Sequence, residues 1–185
     1  LLHESEMLAR STDDSPRQRA EEPRRFPIAD LLAAGRAAAD VDAAAEEDLV
    51  PRLSAADAGV RYWGCVGALV RGEPAVALLR EPLRALLDDP SPAVRLTAAE
   101  ALGRYGDAAD LQRALRVLLA AASLETQDLA VAATALEAID ALDRRALALL
   151  DEVQRLPVEH PKVPWEQSAR VPELVDRIVA ELSPP

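Results

Sequence analysis

The sequence is poor in the residues that most often carry chemistry. It contains one cysteine, two histidines and only 3% aromatic residues. A single cysteine, Cys65, excludes an internal disulfide and a cluster of thiolate metal ligands, so we expect a small buried apolar side chain there. The histidines, His3 and His160, are not spaced as paired ligands, and no Ser-His-Asp set or glycine-rich phosphate loop is present. The sequence therefore offers no candidate catalytic, cofactor-binding or metal-binding residue.

Positive charge is also scarce. Lysine and arginine number 21 against 32 aspartates and glutamates, which gives a formal net charge of −11. This balance repels nucleic acids and anionic membrane surfaces on average. No stretch of about 18 uncharged apolar residues is long enough to span a bilayer. We therefore expect a protein partner rather than a nucleic acid or a membrane.

What the sequence contains instead is alanine, leucine and valine. Hydrophobic residues make up 50% of the 185 residues. This composition favours closely packed helices over a β-sandwich, which would require more aromatic and β-branched residues. The length is sufficient for one domain with its own core. We therefore predict an all-α domain.

One stretch recurs along the chain. "VRLTAAEALGRYGD" begins at Val94, and "VAATALEAIDALDR" begins 37 residues later at Val131. "VRYWGCVGALVRG" begins at Val60, 34 residues before Val94. Apolar residues recur in these stretches at steps of three and four, which is one face of a helix. Another helical pattern precedes each stretch, so the predicted unit is a pair of helices.

Capping residues and prolines delimit these helices. Ser91 and Asp107 are predicted N-caps, and Pro92 fits the first helical turn, where its missing N–H has no cost. Pro82 lies inside a helical pattern, so we expect a kink or a helix break near Glu81.

The turn "DDPSPAVR" resembles the HEAT class of helical repeats in its short bacterial form. "DAGVR" keeps Asp57 and Arg61, whereas the third unit has Ala132 at the position of Arg95. The resemblance implies that aspartate and arginine tie neighbouring repeats together in a ladder, which would stop after two units. We predict an all-α, HEAT-like α-solenoid of about 3–4 helical pairs.

The predicted domain organisation follows from the repeat. Residues 1–25 are charged and contain two prolines, which is typical of a polar linker or tail. Residues 26–185 are predicted to form the helical repeat domain. Its parts are a leading helix at 26–42, repeat 1 at 43–72, repeat 2 at 73–106, repeat 3 at 107–143, and repeat 4 with a C-terminal cap at 144–185.

Three aromatic residues are the candidates for contact with a partner. Tyr62 and Trp63 are adjacent in a stretch of small residues. They either fill the gap between repeats one and two or form a patch for a partner. Trp165 lies in a proline-rich segment, where it docks either on its own solenoid or on another molecule.

Four segments together resemble the tail of a group of bacterial sulfatases. They are "DAGVRYWGCVGALVRG", "DPSPAVRLTAAEALGRYGD", "ALEAIDAL" and "HPKVPWEQSARVPELVDRIV", in this order. The group is similar to arylsulfatases and heparan N-sulfatases and carries a HEAT-like extension after its catalytic domain. "RRFPIADLLAAGRAA" also resembles the segment that joins the two parts in that group, so the resemblance covers about residues 20–182. It implies a non-catalytic accessory domain that packs on the catalytic domain or on a second subunit.

The resemblance implies further properties for a parent protein only. Sulfatases use a Cys or Ser within C/S-x-P/A-x-R, converted to formylglycine beside a calcium ion, and such parents are commonly periplasmic or secreted. Cys65 is followed by Val-Gly-Ala-Leu, so this motif is absent. Because the first residue is Leu1 and the only methionine is Met7, we expect a piece of a longer protein.

Other functions remain open from the sequence. The main alternative to a sulfatase extension is a stand-alone HEAT-repeat scaffold for protein–protein interaction. A helical-repeat DNA-alkylation repair enzyme would need a basic concave face, which the net charge of −11 disfavours. A phycobilin lyase is the remaining alternative.

Overall fold

A computed structural model describes residues 26–40, 48–158 and 169–183. These residues form helices and contain no strand, so the predicted all-α fold is confirmed. The helices are α1 (Ile28–Ala39), α2 (Val50–Leu53), α3 (Ala58–Arg71), α4 (Glu73–Leu78), α5 (Arg80–Leu86), α6 (Pro92–Tyr105), α7 (Ala108–Ala121), α8 (Leu129–Ala141), a 3₁₀ helix (Asp143–Leu149), α9 (Leu150–Gln154) and α10 (Arg170–Leu182).

The helices form two rows. We call one of them the second row. It contains α1, α3, α6, α8 and α10, and each of these helices packs against the next one in this order. The first row contains α2, α4, α5, α7, the 3₁₀ helix and α9, and its helices pack on members of the second row. Each helix pair thus buries its apolar side mainly against its neighbours, which is the architecture of an α-solenoid, as predicted.

The core runs between the rows and between successive pairs. The apolar residues that align in α6 and α8 are buried, among them Val94, Ala98 and Leu102 in α6 and Val131, Ala135 and Ile139 in α8. Small residues allow the helices to approach closely. A Cβ atom at Gly67 would lie 2.8 Å from the Leu49 side chain and 3.3 Å from the Ala38 Cα atom. The alanine-rich and glycine-containing composition is therefore used for close helix packing.

Side-chain caps start α3, α6, α7 and α8. Asp57, Ser91 and Asp128 accept backbone N–H groups in the first turns of α3, α6 and α8. Asp107 caps α7 and forms a reciprocal capping box with Asp110. The predicted N-caps Ser91 and Asp107 are therefore confirmed, and the caps satisfy backbone donors that a helix leaves unpaired.

The first row is interrupted where proline enters it. The chain breaks at Leu79, between α4 and α5, three residues before Pro82. In a continuous helix the Pro82 ring would clash with the carbonyl of Leu78 and would leave that carbonyl without a donor. The break predicted near Glu81 is confirmed.

Candidate protein-interaction surface

Trp63 lies on α3 and packs against the leading helix α1. A Cβ atom at Gly35 would lie 3.6 Å from Trp63 Cε2, so the glycine leaves room for the indole ring. Trp63 is half-buried, and one part of its surface stays accessible to solvent. The neighbour of the ring is therefore the leading helix, and its contact with a partner stays a prediction.

Tyr62 lies on the side of α3 that faces α6. Its ring meets Trp63 edge to face, with 5.5 Å between the centroids, and it packs against the apolar core. Burial of the ring, with a smaller effect of the nearby Glu100 carboxylate, raises the pKa of the Tyr62 phenol. The two adjacent aromatic residues thus face different neighbours. The third candidate, Trp165, lies outside the described residues.

Exposed apolar side chains continue from Trp63 across α1 and α3. Ile28 and Leu32 precede the glycine under Trp63 by two turns and one turn, and Leu32 is 58% exposed. On α3, Val66 is half-buried and Val70 is 52% exposed, one and two turns after Trp63. We call Ile28, Leu32, Trp63, Val66 and Val70 the first-end patch.

The positions equivalent to the α3 part of this patch are largely polar in later repeats. In α6, 34 residues further on, they are Thr97, Glu100 and Arg104. In α8, after another 37 residues, they include Thr134 and Glu137. The apolar surface therefore belongs to the beginning of the solenoid and is not a property of every repeat.

Ion pairs cover the other end of the second row. Arg170 of α10 contacts Glu137 of α8, and Arg177 Nε lies 3.2 Å from Asp140 Oδ1. The two arginines are exposed, so solvent screens both pairs and they contribute little to stability. Their charges nevertheless keep this part of the surface hydrated, in contrast to the first-end patch.

A well-buried ion pair connects α3 to the next repeat. Arg61 donates from Nε and Nη2 to the two oxygens of Asp89, at 2.7 and 2.9 Å. This hydrogen bonding raises the pKa of the Arg61 guanidinium. Arg95, its equivalent in α6, donates instead to the backbone carbonyls of Asp89 and Pro90. The position that matches Asp89 in the next repeat is Thr126, so the aspartate–arginine ladder ends after this pair in the described residues.

A second buried carboxylate, Asp110, lies in the first row and was not singled out from the sequence. It is fully buried, accepts a 2.5 Å hydrogen bond from Arg84 Nε and lies 3.3 Å from Arg80 Nε. Its hydrogen bond raises the pKa of Arg84, and the backbone N–H of Asp110 lowers the pKa of Asp107. Arg80 and Arg84 precede Asp110 by one repeat, so these ion pairs join neighbouring repeats.

The described residues hold no group of three His, Cys, Asp or Glu side chains that could bind a metal ion. Cys65 is fully buried, and burial raises the pKa of its thiol. In the same ranges, no helix combines the length and the apolar character needed to cross a membrane. The exposed side chains of the first-end patch are apolar.

Sequence similarity agrees with this architecture. A family model described as HEAT repeats matches residues 46–140, which is just over half of the chain. The matched range runs through α2–α7 and almost all of α8. No curated protein matches the sequence.

Proposed function

The chain belongs to the HEAT-repeat family, and we propose that it is a scaffold that binds a protein partner through the first-end patch. HEAT repeats commonly mediate contacts between proteins. One observation carries the proposal: Trp63, Val66 and Val70 stand where the next repeat has polar side chains. Neighbouring exposed apolar side chains of this kind are typical of an interaction site.

The patch also has the rigidity that favours binding. Trp63 is held by α1, and a large ring fixed in this way can act as an anchor for a partner. The Arg71 guanidinium of α3 donates to the carbonyls of Ala37 and Asp40 at 3.0 and 3.1 Å, which fixes the end of α1. Binding therefore requires little additional ordering of these helices.

Site-specific photocrosslinking in the native cell tests this proposal. A photoreactive phenylalanine analogue is placed at Leu32 or at Val70, one on each helix of the patch. We expect the same protein to be crosslinked from both positions. Leu32→Glu should abolish the crosslink from position 70, because a charge in the patch would have to lose its hydration on binding.

The first row supplies a matched control. Leu147 is 49% exposed, close to the value for Val70, but it lies on the 3₁₀ helix outside the patch. Crosslinking from position 147 should not yield the same protein, and Leu147→Glu should leave the crosslink from position 70 intact. Equal crosslinking from the patch and from position 147 would rule the patch out as the binding surface.

The finer proposal is that this scaffold is the accessory extension of a sulfatase, with the catalytic domain as its partner. Its support is the resemblance of four segments, in order, to the tail of bacterial sulfatases. The match to HEAT repeats bears only on the scaffold. Sequencing the reading frame upstream tests the proposal, since a sulfatase requires a C/S-x-P/A-x-R motif there. Its absence would end the sulfatase assignment and leave the scaffold proposal unchanged.

A further inference from the structure

The two ends of the helix stack differ in what they expose. At the last end, α10 buries one apolar side and exposes charged residues such as Glu173, Asp176 and Arg177. At the first end, the exposed residues of α1 include Ile28, Ala29, Leu32 and Ala33. A solenoid requires a polar outer face on its terminal repeats unless another element stacks there. The outer side of α1 thus has the character of a surface that another helix covers.

An acidic groove runs beside this apolar surface, between α1 and α2. Its lining includes Pro27, Ala33, Pro51 and Val60 together with the carboxylates of Asp30, Asp48 and Asp57. Among the described residues, the cation of this lining is Arg52, and its guanidinium donates to the backbone carbonyl of Asp48. Asp57 is occupied as the N-cap of α3, so in the described lining Asp30 and Asp48 stand against one engaged guanidinium and give the groove an excess of negative charge.

Together these features define the partner's chemistry, and this inference rests on the proposed function. We propose that the element that docks on the first end is an amphipathic helix with basic residues along one edge. Its apolar stripe would cover Ala29 and Leu32, and its basic edge would face Asp30 and Asp48. Arg36 lies in the last turn of α1, where its positive charge would repel a basic residue. The basic edge of the docked helix would therefore lie along the first two turns of α1.

A second copy of this chain fits the same surface less well. Each copy carries a net charge of −11. Pairing two first ends would bring together two molecules of the same net charge. A basic-edged helix that lies outside this sequence meets no such repulsion.

Two designed peptides test the inference. Both are amphipathic helices with the same leucine stripe, and they differ only in having lysine or glutamate along one edge. Binding to the full chain is measured by fluorescence anisotropy at physiological ionic strength. We expect the lysine-edged peptide to bind about tenfold more tightly, because several ion pairs at the edge of an interface each contribute modestly. Leu32→Glu should weaken binding of both peptides.

Charge reversal shows whether the groove causes the preference. Asp30→Lys combined with Asp48→Lys should reverse the preference, while Asp57 is kept because it caps α3. The control, Glu125→Lys with Glu152→Lys, makes the same change in net charge at exposed positions elsewhere and should keep the preference.

Three results would overturn the inference. They are equal affinity for the two peptides, an equal response of the groove and control variants, and sedimentation that shows a dimer abolished by Leu32→Glu. The first two results would show that the groove does not distinguish a basic helix from an acidic one. The third would show that a second copy of the chain covers the first end. If crosslinking from positions 32 and 70 still identifies one foreign protein, the proposed function stands and only the basic-edged helix is wrong.

Discussion

Helices α3 and α6 occupy the same place in successive repeats, yet they present different surfaces. Each has 14 residues, begins at a side-chain N-cap, Asp57 or Ser91, and ends at a glycine. Their inward positions are filled in both cases by small or apolar residues, whereas their outward positions are apolar in α3 and polar in α6. The inside of a repeat must match its neighbours, but the outside can change without disturbing the stack. The differences between equivalent outward positions of α3 and α6 therefore mark the surface that we propose binds a partner.

Removing the ion pair between Arg61 of α3 and Asp89, in the turn before α6, should have the largest effect on stability. In Asp89→Ala, the Arg61 guanidinium loses the carboxylate that accepts two of its hydrogen bonds, in a place where the Asp89 side chain is only 5% exposed. We expect the free energy of unfolding in urea to fall by about 3 kcal/mol.

The adjacent aspartate is the control for this prediction. The Asp88 side chain is 86% exposed, so Asp88→Ala should change the free energy of unfolding by less than about 0.5 kcal/mol. Equal losses from the two variants would mean that the buried ion pair does not couple α3 to α6.

Exchanging the outward residues for alanine should have a smaller and unequal effect. Trp63→Ala is expected to lower the free energy of unfolding by about 2 kcal/mol, because the half-buried ring packs on α1. Thr97→Ala, at the equivalent position of α6, should change it by less than about 0.5 kcal/mol. The Thr97 hydroxyl only donates to the carbonyl of Ala93, and alanine favours the helix.

Urea unfolding of both variants gives the comparison directly. A loss of less than about 0.5 kcal/mol for Trp63→Ala would mean that α1 does not depend on the ring. A loss of 4 kcal/mol or more, on the order expected for a fully buried tryptophan, would leave little of the ring to contact a partner.

Much of the fold could be predicted because its signals are local. Helical periodicity, the N-caps Ser91 and Asp107, and the proline at 82 act within a few residues of where they stand. The repeat then follows from finding the same local pattern again. Pairing between repeats is less accessible, because Arg61 and Asp89 are 28 residues apart and only the resemblance to HEAT repeats linked such residues.

The candidate surface was predicted only in part. Tyr62 and Trp63 attract attention in a sequence with few aromatic residues, but periodicity does not say that Trp63 packs on Gly35. Leu32 was missed as a surface residue because α1 is apolar on almost every side, so its pattern does not show which side stays uncovered. Asp110 was missed because an acidic residue in a first helical turn is usually exposed. The residues that could have indicated its burial are Arg80 and Arg84, two cations that lie one repeat earlier in the sequence.

The smallest expected effect concerns Glu100, which stands in α6 where α3 has Val66. Burial raises the pKa of Glu100 above its ordinary value, and the charge of Glu137 acts in the same direction, while the hydrogen bond from Arg104 opposes them. The folded state therefore binds the proton more tightly than the unfolded state. Stability from this proton is present below the unfolded pKa and is lost as the pH rises through the folded pKa.

Glu100→Gln should raise stability at pH 7 by less than about 1 kcal/mol, as measured by thermal unfolding. The gain should disappear well below the ordinary pKa of 4.5, where the native glutamate is protonated. A gain in stability of the same size at pH 7 and well below pH 4.5 would show that the substitution acts through packing. It would not then act through the charge that distinguishes α6 from α3.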